Sequence, residues 1–306
     1  MPAPRIAIGP APAPFASEAV LSGGGSIVDI TAHPDGLVWL DPFDLTGLSD
    51  HLATAPDVGW VQLPFAGVEG PAASGILDER RLWTCAKGAY AEPVAEHALA
   101  LTLAGLRHLR LRAEARSWGS PAGTSLYDQR VTILGGGGIT TSLLEQLAPF
   151  RVDTTVVRRR AEPLEGATRT VAVSELHEVL AQSLVVVLAL ALTPETTGII
   201  GSKELAVMDE RAWLVNVARG RHVDTDALVE ALASGSIAGA ALDVTEPEPL
   251  PDGHPLWSLP NCLITPHTAD TIEMIRPLLA ERIRANVERL AAGEAMLGLV
   301  DPKAGY

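Results

Sequence analysis

The stretch Val131–Leu144, VTILGGGGITTSLL, governs how the rest of the chain is read. Four successive glycines serve either as a flexible linker or as a tight turn on which a phosphate can lie. The flanking residues choose between these. VTIL is an apolar run of the kind buried in a strand, and ITTSLLEQLA carries Ile139, Leu143, Leu144 and Leu147 at helical spacing. The glycines therefore occupy a strand-to-helix turn. In such a turn Gly135 permits the sharp bend and Gly137 lets the backbone approach a pyrophosphate. The helix that opens at Gly138 and Ile139 presents N–H groups and the positive end of its dipole. A third glycine belongs at position 140, where the sequence has Thr140. A turn lacking that glycine also has a purely structural reading, and alone it does not choose.

The alternation continues downstream. DTTVV, LVVVLAL, AWLVNVA, IAGAALDV and CLITP read as strands, separated by the helical patterns SELHEVLA, SKELAVM and DTDALVEALASG. Continuous apolar strands between helices imply a parallel sheet covered on both faces, a doubly wound domain. The strand after the glycine turn ends in Arg158, Arg159 and Arg160 instead of the acidic residue that binds a ribose hydroxyl of NAD. A cationic cluster there suits the 2′-phosphate of NADP; its bland reading is a solvated basic loop.

Upstream, RIAIG, SIVDI, GLVWL and WVQLPFAG read as strands of a smaller α/β domain. Glu92–Arg112 carries a long helical pattern, followed by a polar loop around Trp118. Thr271–Gly293 is a further helical pattern expected to return to the first domain. The expected division is 1–98 with 270–306, and 99–269. A chain of 306 residues has length for two such domains, and 47% hydrophobic with 20% charged residues fits a folded soluble protein and opposes disorder.

A formal net charge of −14 argues against a nucleic-acid partner. The longest apolar run, Leu184–Leu192, is too short to span a bilayer, and the proline-broken start does not read as a signal peptide. Two cysteines far apart, Cys85 and Cys262, provide no disulfide framework, so a reducing cytoplasm is the expected home. No cluster has metal-ligand spacing, and no metal is expected. His33, His51, His177, His222 and His254 are read as exposed by default.

Three residues follow later strands: Arg219, Glu248 and His267. Hydride transfer at a 2-oxo or 2-hydroxy acid needs a cation for the carboxylate, an acid/base for the oxygen and a partner for that base, and these are the three residue types. The blocks LGGGGI, LALALTPETTGIIG, WLVNVARGRHVDTDALVEAL, AGAALDVTEPEPLPDGHPLW and NCLITPHTA, with WVQLPFAGVEG and GAYAEPVAEHALAL before them, resemble the D-isomer-specific 2-hydroxyacid dehydrogenase family over nearly the whole chain.

The resemblance implies a doubly wound Rossmann-type domain inserted in a smaller flavodoxin-like substrate domain. It implies that Arg219 binds the substrate carboxylate, that His267 exchanges a proton with the substrate oxygen, and that Glu248 holds the imidazole in its protonated form. Backbone N–H groups of Ala66, Gly67 and Val68 complete the carboxylate site. The implied cofactor set is Gly135, Gly137, Gly138, Ile139, Arg158, Arg159, Leu190, Thr193, Ala218 and Asp243, the last meeting the nicotinamide carboxamide. NADP is favoured over NAD, a small acid such as glyoxylate or hydroxypyruvate is the expected substrate, and a homodimer is implied. The alternatives are a 3-phosphoglycerate dehydrogenase and a dinucleotide-sensing, corepressor-like binding protein. Thr140, Ala191 (for the proline of LPLTP), Leu184 and MDERAW depart from the family's usual pattern, all on the cofactor side or in packing. For the far end of the substrate pocket, Trp39, Tyr90 and Trp257 are candidates, with core packing the simpler role.

Overall fold

The computed structural model describes residues 2–303. Its contacts gather into two compact units, one formed by the chain up to Tyr90 and from Thr271 onward, the other by Ala91–Asp270. The first crossing falls ahead of the expected 98/99. The helix Ala91–Leu106 buries Val94, Ala95, Ala98 and Leu101 in the core of the second unit, which draws residues 91–98 with it.

In the first unit, strands β1 (Arg5–Gly9), β2 (Ser26–Ile27), β3 (Gly36–Trp39), β4 (Trp60–Gln62) and β5 (Leu82–Thr84) form a parallel sheet of order β2-β1-β3-β4-β5, the flavodoxin-like arrangement. SIVDI pairs over only two residues, because the Asp29 carboxylate captures Thr31 N and Oγ1 and starts a 3₁₀ turn. β5, at the edge, was not legible as a strand. Side chains alternate between the two faces: Ile6, Ile8, Val38 and Trp60 enter one core, Ala7, Leu37, Trp39 and Val61 the other. The helix Ile272–Ala292 closes the first of these with Leu279, Ile283 and Val287, and ends at the left-handed Gly293. Trp39 and Tyr90 are both core residues.

In the second unit, β6 (Arg130–Leu134), β7 (Asp153–Arg158), β8 (Arg169–Ala172), β9 (Val185–Leu188), β10 (Trp213–Asn216), β11 (Gly239–Leu242) and β12 (Cys262–Ile264) form one parallel sheet. Its order, β12-β11-β10-β9-β6-β7-β8, is Rossmann-type, reversing direction between β6 and β9. Val186, Leu188, Leu214, Ala240 and Leu242 face one apolar layer; Val185, Val187, Trp213, Val215 and Ala241 face the other. Both faces are covered, as the unbroken apolar strands require.

The expected helix Glu92–Arg112 is two helices, Ala91–Leu106 and Leu109–Glu114. Between them His108 is left-handed (φ 51°), and the Leu106 carbonyl accepts the Thr124 amide (2.8 Å). Arg110 then donates to the carbonyls of Trp257, Leu259 and Cys262, which fixes the second helix on the β11–β12 connection.

Candidate active site

The glycine turn leaves β6 where β7 and β9 flank it. Gly135 donates to Val157 O (2.8 Å), has φ +109°, and a Cβ placed on it would lie 2.2 Å from Ala189 O. The turn passes so close to the end of β9, and to Leu190, that only glycine fits. Gly136 lies under Arg158, whose Nε would be 3.2 Å from its Cβ. Gly137 caps the helix Gly138–Leu147 in an extended conformation, and a Cβ there would meet nothing within 4 Å. Bare backbone, a helix N-terminus and open space above them suit a pyrophosphate.

Thr140 is accommodated inside the turn. It is fully buried, and its hydroxyl donates to Gly135 O (2.9 Å), tying the first helical turn to the bend. Ile139, half-buried, packs on the core behind it. Arg158 ends β7 half-buried and makes no ion pair among the described residues; Arg159 is exposed. In the loop after β9, Thr193 donates its N–H to Thr196 Oγ1 (2.8 Å). Its hydroxyl, and further out the Arg159 charge, hold the Glu195 carboxyl below its ordinary range.

Arg219 follows β10 on a turn built by the buried Asn216, which donates to Arg219 O (2.9 Å) and accepts from Ala218 N (3.0 Å). The guanidinium, half-buried, donates through Nη1 to the Ala218 carbonyl (2.7 Å). Gly220 has no room for a side chain: its Cβ would lie 2.0 Å from the Thr245 carbonyl. That close approach brings the arginine turn against the segment leading to Glu248.

His267 stands after β12 with φ 48°, its N–H on Asp243 O (2.8 Å). Its Nδ1 lies 2.5 Å from Glu248 Oε1, with both side chains about two-fifths exposed (45% and 39%). Exposed pairs contribute only ~0–1 kcal/mol to stability. The geometry matters more for what it fixes: Nδ1–H points at the carboxylate and Nε2 is turned away from it.

Asp243 lies buried behind the loop that carries His267. Its side chain is 1% exposed, Oδ1 accepts from Thr265 Oγ1 (2.6 Å) and Thr268 N (3.0 Å), and Oδ2 accepts from Ala269 N (3.1 Å). His97 Nε2 adds a contact at 3.2 Å. The carboxylate thus holds the loop that carries His267, mainly through Oδ1, with Oδ2 on the Ala269 amide. Burial raises its pKa, but the bonds from His97, Thr265 and Thr268 prevail and leave it below the usual value.

In the first unit the loop after β4 carries Ala66 (exposed), Gly67 and the buried Val68, ahead of the helix Glu69–Ser74. Their three N–H groups donate to no acceptor among the described residues.

The structure adds residues that sequence reading passed over. His222 is fully buried, against the expectation of exposure, with Nδ1 3.2 Å from Arg219 N and Nε2 3.3 Å from Ala191 O. Asp270 is half-buried near His267, Asp243 and Arg219; burial, with the Asp243 charge beside it, lifts its carboxyl above the usual range against the opposing pull of His267 and Arg219. Trp257, a pocket candidate, is instead exposed at the surface, its Nε1 donating to Pro251 O (3.1 Å). Among the described residues no three His, Cys, Asp or Glu side chains are grouped to hold a metal, and no helix is long and apolar enough to cross a membrane.

Comparison with known proteins agrees with this geometry. The family model described as D-isomer specific 2-hydroxyacid dehydrogenase, NAD binding domain, matches residues 98–269. An uncharacterised protein of Corynebacterium melassecola is 44% identical over 256 residues, 82% of this chain and 84% of its own length. The glyoxylate reductase/hydroxypyruvate reductase of Homo sapiens is 38% identical over 178 residues, 58% of this chain and 52% of its own. The D-isomer specific 2-hydroxyacid dehydrogenase of Xanthobacter autotrophicus Py2, solved in complex with NADPH and MES, is 30% identical, covers 99% of this chain and 100% of its own, and superposes with a TM-score of 0.85. On the matched domain, the Rossmann-type strand order and the whole-chain likeness, the chain belongs to the D-isomer specific 2-hydroxyacid dehydrogenase family.

Proposed function

We propose that the chain reduces small 2-oxo acids of the glyoxylate and hydroxypyruvate kind, taking NADPH in preference to NADH. The observation that carries this reading is the Glu248–His267 pair, 2.5 Å apart, on the sheet edge that also bears Arg219 and the glycine turn. When bound, the reduced nicotinamide supplies a hydride to the carbonyl carbon. Arg219 pairs with the substrate carboxylate and orients the carbonyl. Glu248 fixes Nδ1–H, so Nε2 of His267 carries the proton that the carbonyl oxygen takes as it becomes a hydroxyl. The N–H groups of Ala66, Gly67 and Val68, which donate to no acceptor among the described residues, are assigned to a substrate carboxylate.

Nucleotide binding is assigned to the second unit: the pyrophosphate to Gly135, Gly137, Gly138 and Ile139, the inner groups to Leu190, Thr193 and Ala218, and the nicotinamide carboxamide to Asp243. Arg158 and Arg159 take the 2′-phosphate; Arg158 lies across Gly136 beside the turn, and the Xanthobacter relative carries NADPH. A homodimer is supported by exposed apolar side chains on and after the helix Leu109–Glu114, where Leu109, Leu111 and Trp118 face outward. A cytoplasmic home accords with two free, buried cysteines.

Initial rates with NADPH and NADH against glyoxylate, hydroxypyruvate and pyruvate test the reading. Turnover favouring NADPH, abolished by His267→Ala and by Arg219→Ala, is expected. Unchanged rates in both variants, or tight NADPH binding without turnover of any 2-oxo acid, would refute it.

A further inference from the structure

The imidazole of His222 is fully buried, and the reaction outlined above does not use it. It lies between two segments of the second unit, with Nδ1 3.2 Å from the Arg219 amide nitrogen and Nε2 3.3 Å from the Ala191 carbonyl oxygen. Nδ1 also lies 3.1 Å from the Arg219 carbonyl oxygen, so both of its near neighbours belong to the arginine main chain. A proton on Nδ1 would serve that carbonyl alone, whereas a proton on Nε2 lets Nδ1 accept the Arg219 amide while Nε2 donates to Ala191 O, two bonds against one. One side chain thus bridges the main chain of the arginine and the start of the loop leaving β9. Backbone pairing runs alongside, with Gly198 N on Arg221 O (2.9 Å) and Ile200 N on His222 O (3.0 Å). Those bonds anchor the far end of the loop, whereas the imidazole reaches its near end, beside Leu190 and the glycine turn.

We infer that His222 is a positioning residue that supports two recognition events at once. It orients Arg219 for the substrate carboxylate and holds the Leu190–Ala191 backbone against the bound nucleotide. The inference rests on the proposed reading of Arg219, but its two halves separate experimentally. Asparagine puts an amide oxygen near the place of Nδ1 and does not reach Ala191; glutamine extends to the place of Nε2 and leaves the Arg219 amide without its acceptor.

The test measures three quantities on purified His222→Asn, His222→Gln and His222→Leu beside the unsubstituted chain: KM for hydroxypyruvate at saturating NADPH, Kd for NADPH by nucleotide fluorescence, and Tm. Loss of one such hydrogen bond weakens the affected constant roughly tenfold. His222→Asn is expected to weaken NADPH with KM nearly kept, His222→Gln to raise KM with NADPH binding nearly kept, and His222→Leu to do both. Asn and Gln variants with the same ratio of the two constants, or all three variants altered in Tm alone, would overturn the inference. Failure of the unsubstituted chain to turn over any 2-oxo acid would instead remove the reading of Arg219. The NADPH titration then decides: weaker binding in the Asn variant than in the Gln variant upholds the link to the loop, and equal binding overturns it.

Discussion

Replacing Gly137 by alanine isolates the nucleotide's share of the glycine turn. The residue is extended (φ −95°, ψ −168°), and a Cβ there meets nothing within 4 Å. The fold should therefore accept the methyl group, even gaining up to ~1 kcal/mol from a less free unfolded chain. A pyrophosphate seated on the turn has no such tolerance, because the methyl lifts it from the N–H groups beneath. Hydrogen bonds to charged groups contribute about 1.5–3 kcal/mol each, so losing one or two weakens NADPH roughly 100-fold. Gly135→Ala makes the opposite control. Its φ of +109° and the 2.2 Å approach to Ala189 O force the backbone to move. Strain of that kind costs about 1–3 kcal/mol, and at about 2–4 °C per kcal/mol for a unit of this size the melting temperature should fall visibly. Fluorescence titration of NADPH alongside thermal melts reads both variants. If Gly137→Ala keeps its melting temperature and binds NADPH within about twofold of the unsubstituted chain, the phosphates do not lie on this turn and the reasoning fails.

Arg158→Ala should weaken NADPH by roughly 10–100-fold while leaving NADH nearly unchanged, since only the former offers a 2′-phosphate; equal losses for both would reassign the arginine. Thr140→Val keeps the shape but strips the part-buried Gly135 carbonyl of the Thr140 donor, which should lower unfolding free energy by about 1 kcal/mol in denaturant titration. Asp243 has a depressed carboxyl pKa in the folded chain, so its contribution to stability is present above the unfolded value of ~3.9 and is lost as pH falls through the lower folded value. Asp243→Asn should therefore flatten the acid limb of a melting-temperature profile. Asp270 has the opposite sign: its raised pKa means a penalty that sets in as pH climbs from ~3.9 through the higher folded value. Asp270→Asn should raise the melting temperature at neutral pH and leave it unchanged below that window.

Elements defined by near neighbours were legible in the sequence. Val185–Leu188 is apolar throughout because both faces of its strand are covered, and Asp224 and Gly235 announce the two ends of the helix between them. Arg219, Glu248 and His267 could be found because parallel strands deliver their following residues to one edge. What escaped depends on distant partners. The break after Leu106 is set by an amide at Thr124, and β5 and β8 are short edge strands whose apolar content is too small to signal. RGRH looks like a polar loop, yet the pairing of Ile200 with Val223 folds His222 beneath Ala191. Nothing near Asp243 in sequence tells that His97 and Thr265 will meet its carboxylate, and nothing near Thr140 tells that its hydroxyl will bond to the Gly135 carbonyl.

The division of the first core between the two ends of the chain has a consequence for synthesis. Ile6, Val20, Val38 and Trp60 share their apolar layer with Leu279, Ile283 and Val287. At ordinary elongation rates of about 5–20 residues per second, the second group follows the first by on the order of 10–40 s. During that interval the N-terminal sheet is made but one of its faces stays bare, while Ala91–Asp270 already contains every strand of its own sheet. The order in which the two cores are completed therefore runs against chain order: every strand of the inserted unit is made before the helix Ile272–Ala292, and the N-terminal sheet keeps one apolar face uncovered until that helix arrives.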